Sequence, residues 1–175
     1  TGGRKQPVLS RDISDFVDEV ELLQKNYGVR FFNVIDSSFE DPGESGIKRM
    51  EKFADEILER KIEGSFKIHL RTETIDQLSD AYLDKIKRAG VDIIGAGVES
   101  ALEEELRTFS KRTTIEKSIR AINKLEYQDK FFAIVGYIMF NPELKPEDFI
   151  KKVKNMPKTD EGTDEIDFLK IVEIV

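Results

Sequence analysis

Residues 90–101 constrain the fold of this chain more than any other stretch, because they carry no charge between Asp92 and Glu99 and are rich in isoleucine, valine and glycine. A strand that is apolar on both faces is typical of a parallel sheet covered by helices. Ligands bind at the carboxyl ends of such strands in open α/β sheets and in barrels. Glu99 and Ser100, which end the strand, are therefore candidate site residues, with helix capping as the alternative.

Helical and strand patterns alternate along the rest of the chain. Apolar residues at three- and four-residue spacing indicate amphipathic helices, and short β-branched or alternating runs indicate strands. The predicted helices are 10–27, 47–58, 77–89, 102–109, 113–125 and one that begins at Pro146, and the predicted strands are 31–36, 66–71, 90–101, 131–140 and 166–175. This order predicts repeated βα units and a mostly parallel sheet. A length of 175 residues fits one domain, 1–175, with a single core.

Composition narrows the classes of function. Asp and Glu number 35 against 28 Lys and Arg, and the basic residues are spread among the acidic ones, so nucleic-acid binding has no support. No apolar run approaches the roughly 20 residues that cross a bilayer, and the first residues lack the core of a signal peptide, so we expect a cytoplasmic protein without a membrane partner. Cysteine is absent, which excludes cysteine-ligated metal or iron-sulfur sites within this chain.

Side-chain alternation along the central strand places two glycines, Gly95 and Gly97, on the same face as Glu99. Glycine weakens a strand, so two on one face suggest close approach by a ligand or another backbone, or alternatively a tight contact with a helix. Arg71 ends the preceding strand and is expected beside Glu99, as an ion pair or as a clamp for a ligand. His69 is expected to be a hydrogen-bonded interior residue. With a single histidine and no cysteine, no metal site is predicted.

Two further groups of polar residues follow predicted strands or helices. Asp36, Ser37 and Ser38 end the first predicted strand, where they suit either an ammonium or cation site or an ordinary turn. Lys111 belongs to a basic pair near the same rim of the sheet, and by itself it indicates only solvated surface.

Taken together, these stretches resemble the radical S-adenosylmethionine family, in particular members that often follow a cobalamin-binding domain. The resemblance covers about 11–154 and rests on five segments in order: Phe-Asn-Val-Ile-Asp-Ser-Ser-Phe at 32–39, Leu-Arg-Thr-Glu at 70–73, Lys-Arg-Ala-Gly at 87–90, Gly-Val-Glu-Ser at 97–100, and Lys-Arg-Thr-Thr-Ile-Glu-Lys-Ser-Ile-Arg-Ala at 111–121. It implies an α/β fold, a partial, three-quarter (β/α) barrel with a mostly parallel sheet.

The family's cluster motif has no counterpart in this chain. Family members carry a C-x3-C-x2-C loop after their first barrel strand, and the loop holds a [4Fe-4S] cluster. The resemblance therefore implies a core barrel fragment that lacks the first strand and the cluster ligands, and that is inactive alone. The full-length protein is expected to use the cluster and S-adenosylmethionine to generate a 5'-deoxyadenosyl radical, with cobalamin in an upstream domain as a further expectation.

The resemblance also implies roles for individual residues, none of them catalytic or metal-binding. The turn of Asp36, Ser37 and Ser38 would lie by the methionine ammonium, and Lys111 would face the methionine carboxylate. Glu99, together with Arg71, is expected at the ribose, and Met139 and Phe140 are expected at the adenine, while Ser100 is a further candidate for cofactor binding. The implied partners are a small-molecule or peptide substrate and an electron donor such as a flavodoxin or ferredoxin.

Two other interpretations stay open at this stage. One is a non-catalytic α/β ligand-binding or interaction module, in which Glu99, Arg71 and Lys111 hold some other ligand or none. The other is a receiver-like signalling domain with Asp36 as phosphoacceptor. It is disfavoured, because the acidic cluster expected at the first strand of such a domain has no counterpart in the sequence.

Overall fold

The computed structural model describes residues 9–40, 44–126 and 130–156, and it confirms the predicted α/β fold class. Its sheet has four parallel strands in the order β1-β2-β3-β4. The strands are β1 (Phe31–Asn33), β2 (Ser65–Arg71), β3 (Val91–Glu99) and β4 (Phe132–Tyr137). Strands that pair in sequence order are typical of a (β/α) barrel wall, whereas a doubly wound sheet reverses its order. The predicted strand 166–175 lies outside the described residues.

Seven helices are described in the same part of the chain. They are α1 (Ile13–Tyr27), α2 (Glu44–Glu59), α3 (Thr72–Gln77), α4 (Asp80–Arg88), α5 (Glu103–Thr108), α6 (Ile115–Glu126) and α7 (Pro146–Asn155). Their ends follow local chemistry. Asp12 accepts a hydrogen bond from the Ser14 N–H at the start of α1, and Gly28 ends it with a left-handed φ of 67°.

Three predicted helix boundaries were wrong. The predicted helix 77–89 begins three residues later, at Asp80, because Ser79 accepts a hydrogen bond from the Tyr82 N–H as the N-cap of α4, and a separate short helix that was not predicted, α3, precedes it. The predicted capping box at 113–116 does not form as written. Thr114 is the capping residue of α6, with its hydroxyl accepting from the Lys117 N–H at 3.2 Å. The second predicted helix begins at Glu44, three residues before its apolar stripe.

β1 and β4 each end three residues earlier than predicted, and β3 ends at Glu99, two residues before the predicted end at 101. The predicted strand 31–36 ends at Asn33, since the ladder to β2 continues only through the Val34 N–H, which donates to Lys67 O at 2.9 Å. The predicted strand 131–140 ends at Tyr137. In both cases the chain turns away to form a loop at the carboxyl edge of the sheet, so the loops are longer and the strands shorter than their apolar patterns indicate.

The main core lies between the sheet and the helices and is built on phenylalanine. Rings of Phe16, Phe39, Phe53 and Phe66 contact one another with centroids 5.2 to 6.1 Å apart. A second, smaller cluster of buried residues lies below the carboxyl ends of β3 and β4 and comprises Val98, Ala101, Ile122, Val135 and Tyr137. Aromatic pairs of this geometry add to the stabilisation that burial alone provides.

The opposite face of the sheet, called the open face below, carries polar side chains and glycines. On β2 it presents Lys67, His69 and Arg71, all partly exposed, while the residues between them are buried against the helices. On β3 the register partners of His69 and Arg71 are Gly95 and Gly97. The predicted division of these two strands into a polar face and a helix-covered face is confirmed.

One ion pair joins α3 to α6. Arg120 donates two hydrogen bonds of 3.0 Å to the carboxylate of Asp76, and Lys124 donates to Leu78 O at 2.9 Å. The hydrogen bonds from Arg120 lower the pKa of the Asp76 carboxyl below its usual value, and the charges of Arg120 and Lys124 act in the same direction against the smaller effect of burial. The pair therefore fixes the segment that follows β2 against the helix that follows β3.

We expect an Asp76→Asn variant to lose about 1 kcal/mol of unfolding free energy at neutral pH. Because the folded-state pKa of Asp76 is lowered, this stability is present above the unfolded pKa of about 3.9 and disappears as the pH falls through the folded value. Urea unfolding of both proteins between about pH 7 and pH 2 measures the difference. If the two proteins differ in unfolding free energy by the same amount at both ends of this pH range, the stability does not come from the ionised Asp76 carboxylate.

The matched control is Glu116→Gln. Glu116 also accepts a hydrogen bond from Arg120, but its side chain is 84% exposed. This variant is expected to change the unfolding free energy by less than about 0.5 kcal/mol.

Candidate functional site

A cleft opens on the open face at the carboxyl ends of β3 and β4. Its volume is about 160 Å³, and its lining includes His69, Glu99, Ile134 and Ile138. Cavities of this size accept a single ring, since an engineered apolar cavity of about 150 Å³ binds benzene. Three ionisable side chains, those of His69, Glu99 and Tyr137, line it among glycine and apolar residues.

Glu99 occupies a tight turn that ends β3. Its φ is 68°, in the left-handed region, and the Ser100 N–H donates to Val98 O at 2.8 Å, which closes a three-residue γ-turn around it. The Ile138 N–H donates to Glu99 O at 2.8 Å and ties the same turn to the chain that leaves β4. A non-glycine residue in such a conformation costs about 1–3 kcal/mol and persists only where its surroundings impose it, which occurs most often at functional sites.

The carboxylate of Glu99 folds back along its own strand. A Cβ added at Gly97 would lie 2.7 Å from Glu99 Oε1, so the missing side chain of Gly97 makes the space that Glu99 uses. Lys111 Nζ donates to the same oxygen at 2.8 Å. The side chain of Glu99 is 22% exposed and that of Lys111 is 35% exposed, which leaves the pair accessible from the cleft.

Gly95 makes the corresponding space for His69, since an added Cβ would lie 2.6 Å from His69 Nδ1. The sequence predicted that the two glycines admit a ligand or another backbone, and the structure fills both spaces with side chains of this chain. The expectation of a hydrogen-bonded His69 was wrong for the part of the chain that the structure describes, where the imidazole makes no hydrogen bond.

Arg71 pairs with Glu40 and Glu99 pairs with Lys111, so the ion pair between Arg71 and Glu99, one of the expected alternatives, does not form, although the register places Arg71 opposite Gly97, over which Glu99 folds. The Arg71 Nε and the Arg71 backbone N–H donate to Glu40 Oε1 at 3.1 and 2.9 Å. Ser38 Oγ donates to the other carboxylate oxygen of Glu40 at 2.5 Å, and the Glu40 side chain is 1% exposed. The γ-turn directs Glu99 to Lys111, while the loop after β1 brings Glu40 to the end of β2. Sequence reasoning missed Glu40.

The turn of Asp36, Ser37 and Ser38 lies after β1, where Asp36 and Ser37 are exposed and Ser38 is partly buried. These residues line a cavity of about 530 Å³ whose other lining residues include Arg11 and Arg49. Because β2 lies between β1 and β3, the ends of β1 and β3 are two strand spacings apart, roughly 10 Å. The turn and Glu99 therefore line the same rim of the sheet at separate places.

Ser100 is fully buried and lies two residues before Leu102, the N-cap of α5, which has no side-chain cap hydrogen bond. Its hydroxyl accepts from the Leu102 N–H at 3.1 Å and donates to Glu105, so it bonds no N–H of the first turn of α5, and the alternative expected for this residue, capping, was wrong. Glu105 forms an ion pair of 2.6 Å with Lys152 of α7, which is 0% exposed. Asn141 also donates to Glu105. Sequence reasoning missed this buried network, because charged residues in helices are usually solvated.

Met139 and Phe140 lie beyond the end of β4, and their prediction as strand residues was wrong. Met139 packs against the smaller core cluster. Phe140 is 71% exposed and stacks on Phe149 of α7 with ring centroids 5.1 Å apart. Below them, burial raises the pKa of Tyr137, the last residue of β4.

No group of three histidine, cysteine, aspartate or glutamate side chains within the described residues is arranged to hold a metal ion. The full sequence has no cysteine, so its residues do not fit a thiolate-bound iron-sulfur cluster. No helix in 9–40, 44–126 and 130–156 is long and apolar enough to cross a membrane.

Comparison with known proteins gives a family match over most of the chain. The profile of the "Radical SAM superfamily" matches residues 3–154. A curated relative, the anaerobic magnesium-protoporphyrin IX monomethyl ester cyclase of Cereibacter sphaeroides, is 34% identical over 122 residues, which is 69% of this chain and 19% of the relative. The chain thus spans about a fifth of the length of this relative.

Solved structures share the fold. The cobalamin-dependent S-adenosylmethionine radical enzyme OxsB with aqua-cobalamin bound superposes with a TM-score of 0.72 at 21% identity, over 90% of this chain and 24% of that one. The radical S-adenosylmethionine methyltransferase TsrM from Kitasatospora setae, with cobalamin and a [4Fe-4S] cluster bound, gives a TM-score of 0.67 at 15% identity, over 83% of this chain and 26% of that one. At these identities the likeness concerns the fold.

We expect a Gly97→Ala variant to fold normally but to lose the pair between Glu99 and Lys111. The new methyl group would lie 2.7 Å from Glu99 Oε1, at the end of a flexible side chain, so the carboxylate moves and the strand stays. The midpoint of thermal unfolding is expected to stay within about 5 °C of the parent protein. A crystal structure of the variant should show the Lys111 nitrogen more than about 4 Å from Glu99.

Gly136→Ala is the matched control on β4. A Cβ added there would lie 3.8 Å from the nearest atom, Ala96 O, so the pair should keep its 2.8 Å distance. A Gly97→Ala structure with an unchanged pair would show that Gly97 does not determine the position of Glu99.

Proposed function

The chain belongs to the radical SAM superfamily, and on that premise we propose that it binds S-adenosylmethionine across the carboxyl ends of its four strands. Members of the family use S-adenosylmethionine and a [4Fe-4S] cluster. The observation that carries the proposal is Glu99, which a strained turn presents on the open face with Lys111 beside it. A carboxylate accepts hydrogen bonds from ribose hydroxyls, and an ammonium pairs with a carboxylate.

The ribose is proposed to bind at Glu99. A carboxylate has about four acceptor positions, and Lys111 occupies one of them on Oε1. The cleft beside Glu99, about 160 Å³ in volume, is of the size of one ring. Lys111 is proposed to exchange part of its contact with Glu99 for the methionine carboxylate when the ligand arrives. Ser100, which is fully buried, is proposed to support Glu99 through the hydrogen bonds of its hydroxyl to the Leu102 N–H and to Glu105.

The methionine ammonium is proposed to bind at the turn of Asp36, Ser37 and Ser38. Asp36 and Ser37 are exposed at the end of β1, and Ser38 is held by the buried carboxylate of Glu40. Arg71 keeps Glu40 in place from β2. We assign Arg71 to this supporting position, since it pairs with Glu40.

The adenine is proposed to lie near Met139 and Phe140. The Phe140 ring is exposed next to the end of β4, and it is already stacked on Phe149. Aromatic rings and methionine side chains supply apolar faces against which a flat base packs. The four proposed contacts run along one rim of the sheet, from β1 to β4.

The residues present do not fit the cluster, because the chain has no cysteine. We propose that another part of the whole protein supplies the cluster thiolates, and that this chain by itself binds S-adenosylmethionine without cleaving it. The whole protein is proposed to be a cytoplasmic radical SAM enzyme that receives its electron from a donor such as a flavodoxin or ferredoxin. A cobalamin domain in the whole protein is proposed because similar structures contain cobalamin.

The 175-residue chain is expected to bind S-adenosylmethionine no more tightly than about 1 mM, since the cluster contributes none of the affinity. Isothermal titration calorimetry measures this constant directly. Binding at about 1 µM would contradict the division of the site between this chain and the cluster. Complete absence of binding at about 10 mM, in this chain and in the cluster-loaded whole protein, would favour a non-catalytic module with another ligand.

In the cluster-loaded whole protein, a Glu99→Gln substitution is expected to weaken S-adenosylmethionine binding about 10- to 100-fold, because hydrogen bonds to a charged acceptor contribute about 1.5–3 kcal/mol. The matched control is Glu104→Gln, an exposed position on α5, with unchanged affinity. The unsubstituted protein should release 5'-deoxyadenosine under anaerobic reduction. Equal affinity of the Glu99 variant and its control would remove Glu99 from the ribose site.

A further inference from the structure

We propose that the buried ion pair of Glu105 and Lys152 is a positioning device for Glu99, an inference that rests on the proposed function of Glu99. Lys152 lies on α7 with no exposed surface, and its Nζ is 2.6 Å from Glu105 Oε2 on α5. Neither residue lines the cleft beside Glu99. The pair acts through the backbone on both sides of the γ-turn.

One connection runs through Ile138. Lys152 Nζ donates to Ile138 O, and the N–H of the same residue donates to Glu99 O at 2.8 Å. Ile138 is the first residue after β4, where the regular ladder has ended. Lys152 therefore fixes the residue that holds the carbonyl of Glu99.

The second connection runs through Ser100. Glu105 accepts a hydrogen bond from Ser100 Oγ, and the Ser100 N–H closes the γ-turn by donating to Val98 O at 2.8 Å. Glu105 also accepts from Asn141, in the loop that leads from β4 to α7. The carboxylate thus joins the residue after Glu99 to the loop beyond β4.

A buried ion pair is a poor source of stability, because removing two charges from water offsets most of their attraction. Apolar or neutral replacements of both partners are often as stable as the pair, whereas removal of one partner leaves an unpaired buried charge and is strongly destabilising. What the pair provides here is geometry. It locks the end of β3, the exit of β4 and α7 around a turn whose backbone conformation is unfavourable by itself.

The experiment separates stability from positioning with two variants. Lys152→Met leaves the Glu105 charge unpaired, and we expect its midpoint of thermal unfolding to fall by more than about 5 °C. In the double variant, Lys152→Met with Glu105→Gln, no buried charge is unpaired and the glutamine oxygen still accepts from Ser100. We expect the double variant to recover a midpoint within about 5 °C of the parent protein.

Two measurements report on positioning. Both should stay altered in the double variant even though its unfolding midpoint recovers. Amide hydrogen exchange of the 175-residue chain should show at least about tenfold faster exchange at Ile138 in the double variant, because that amide loses its fixed acceptor geometry. In the cluster-loaded whole protein, the affinity for S-adenosylmethionine should fall about 10- to 100-fold, as expected when a binding group shifts by about 1 Å. Lys154→Met, an exposed lysine of the same helix, is the control and should change neither readout.

Recovery of the unfolding midpoint, of the exchange rate and of the affinity in the double variant would overturn the proposal and make the pair purely structural. If the unsubstituted whole protein does not bind S-adenosylmethionine, the proposed function is wrong, while hydrogen exchange still decides the positioning role. Should the double variant not fold, Ser100→Ala tests the same link without a buried charge. Faster exchange at Ile138 in that variant supports the proposal, and unchanged exchange overturns it.

Discussion

The register of β3 between β2 and β4 is the constraint on which the site depends. It places Gly95 opposite His69 and Gly97 opposite Arg71 and Gly136, so β3 presents no side chain to the open face at these two positions. The space is taken by His69 from the neighbouring strand and by Glu99, which turns back over Gly97. A shift of one residue would bring β-branched side chains to the open face and glycines to the core.

The charged residues of the rim fall into two separate sets. Glu40 is saturated by Arg71 and Ser38 and is almost fully buried, whereas the Glu99–Lys111 pair is partly exposed at the cleft. A buried, fully bonded carboxylate organises the backbone around it, while a partly exposed pair can exchange its partners at low cost. The difference in burial thus separates the structural half of the rim from the half that is available to a ligand.

The sequence predicted the fold better than the partners of individual side chains. Apolar periodicity and glycine stops located most helices, and the uncharged run at 93–98 located β3, because both patterns report directly which face of an element is buried. The partner of Arg71 was not predictable, since a long side chain at a strand end reaches carboxylates from either neighbouring loop. Nor was the burial of Lys152, which lies in α7 among exposed lysines of the same type. Lys152 differs from those lysines only through the position of β4 and α5, which the sequence of α7 does not show.

The rim of the sheet is more rigid at the end of β3 than at the end of β1, and this difference affects how a ligand would be held. At β3, a buried network surrounds the turn of Glu99, so the proposed ribose contact is preformed and costs little ordering on binding. At β1, Asp36 and Ser37 are exposed, and only Ser38 is held, by the buried Glu40. An exposed turn gives weak orientation to an ammonium group by itself, whereas a metal cluster chelating the same ammonium and its carboxylate would fix both. In the proposed complex, the packing of the chain would therefore define the nucleoside end of the ligand, and the cluster would define the methionine end.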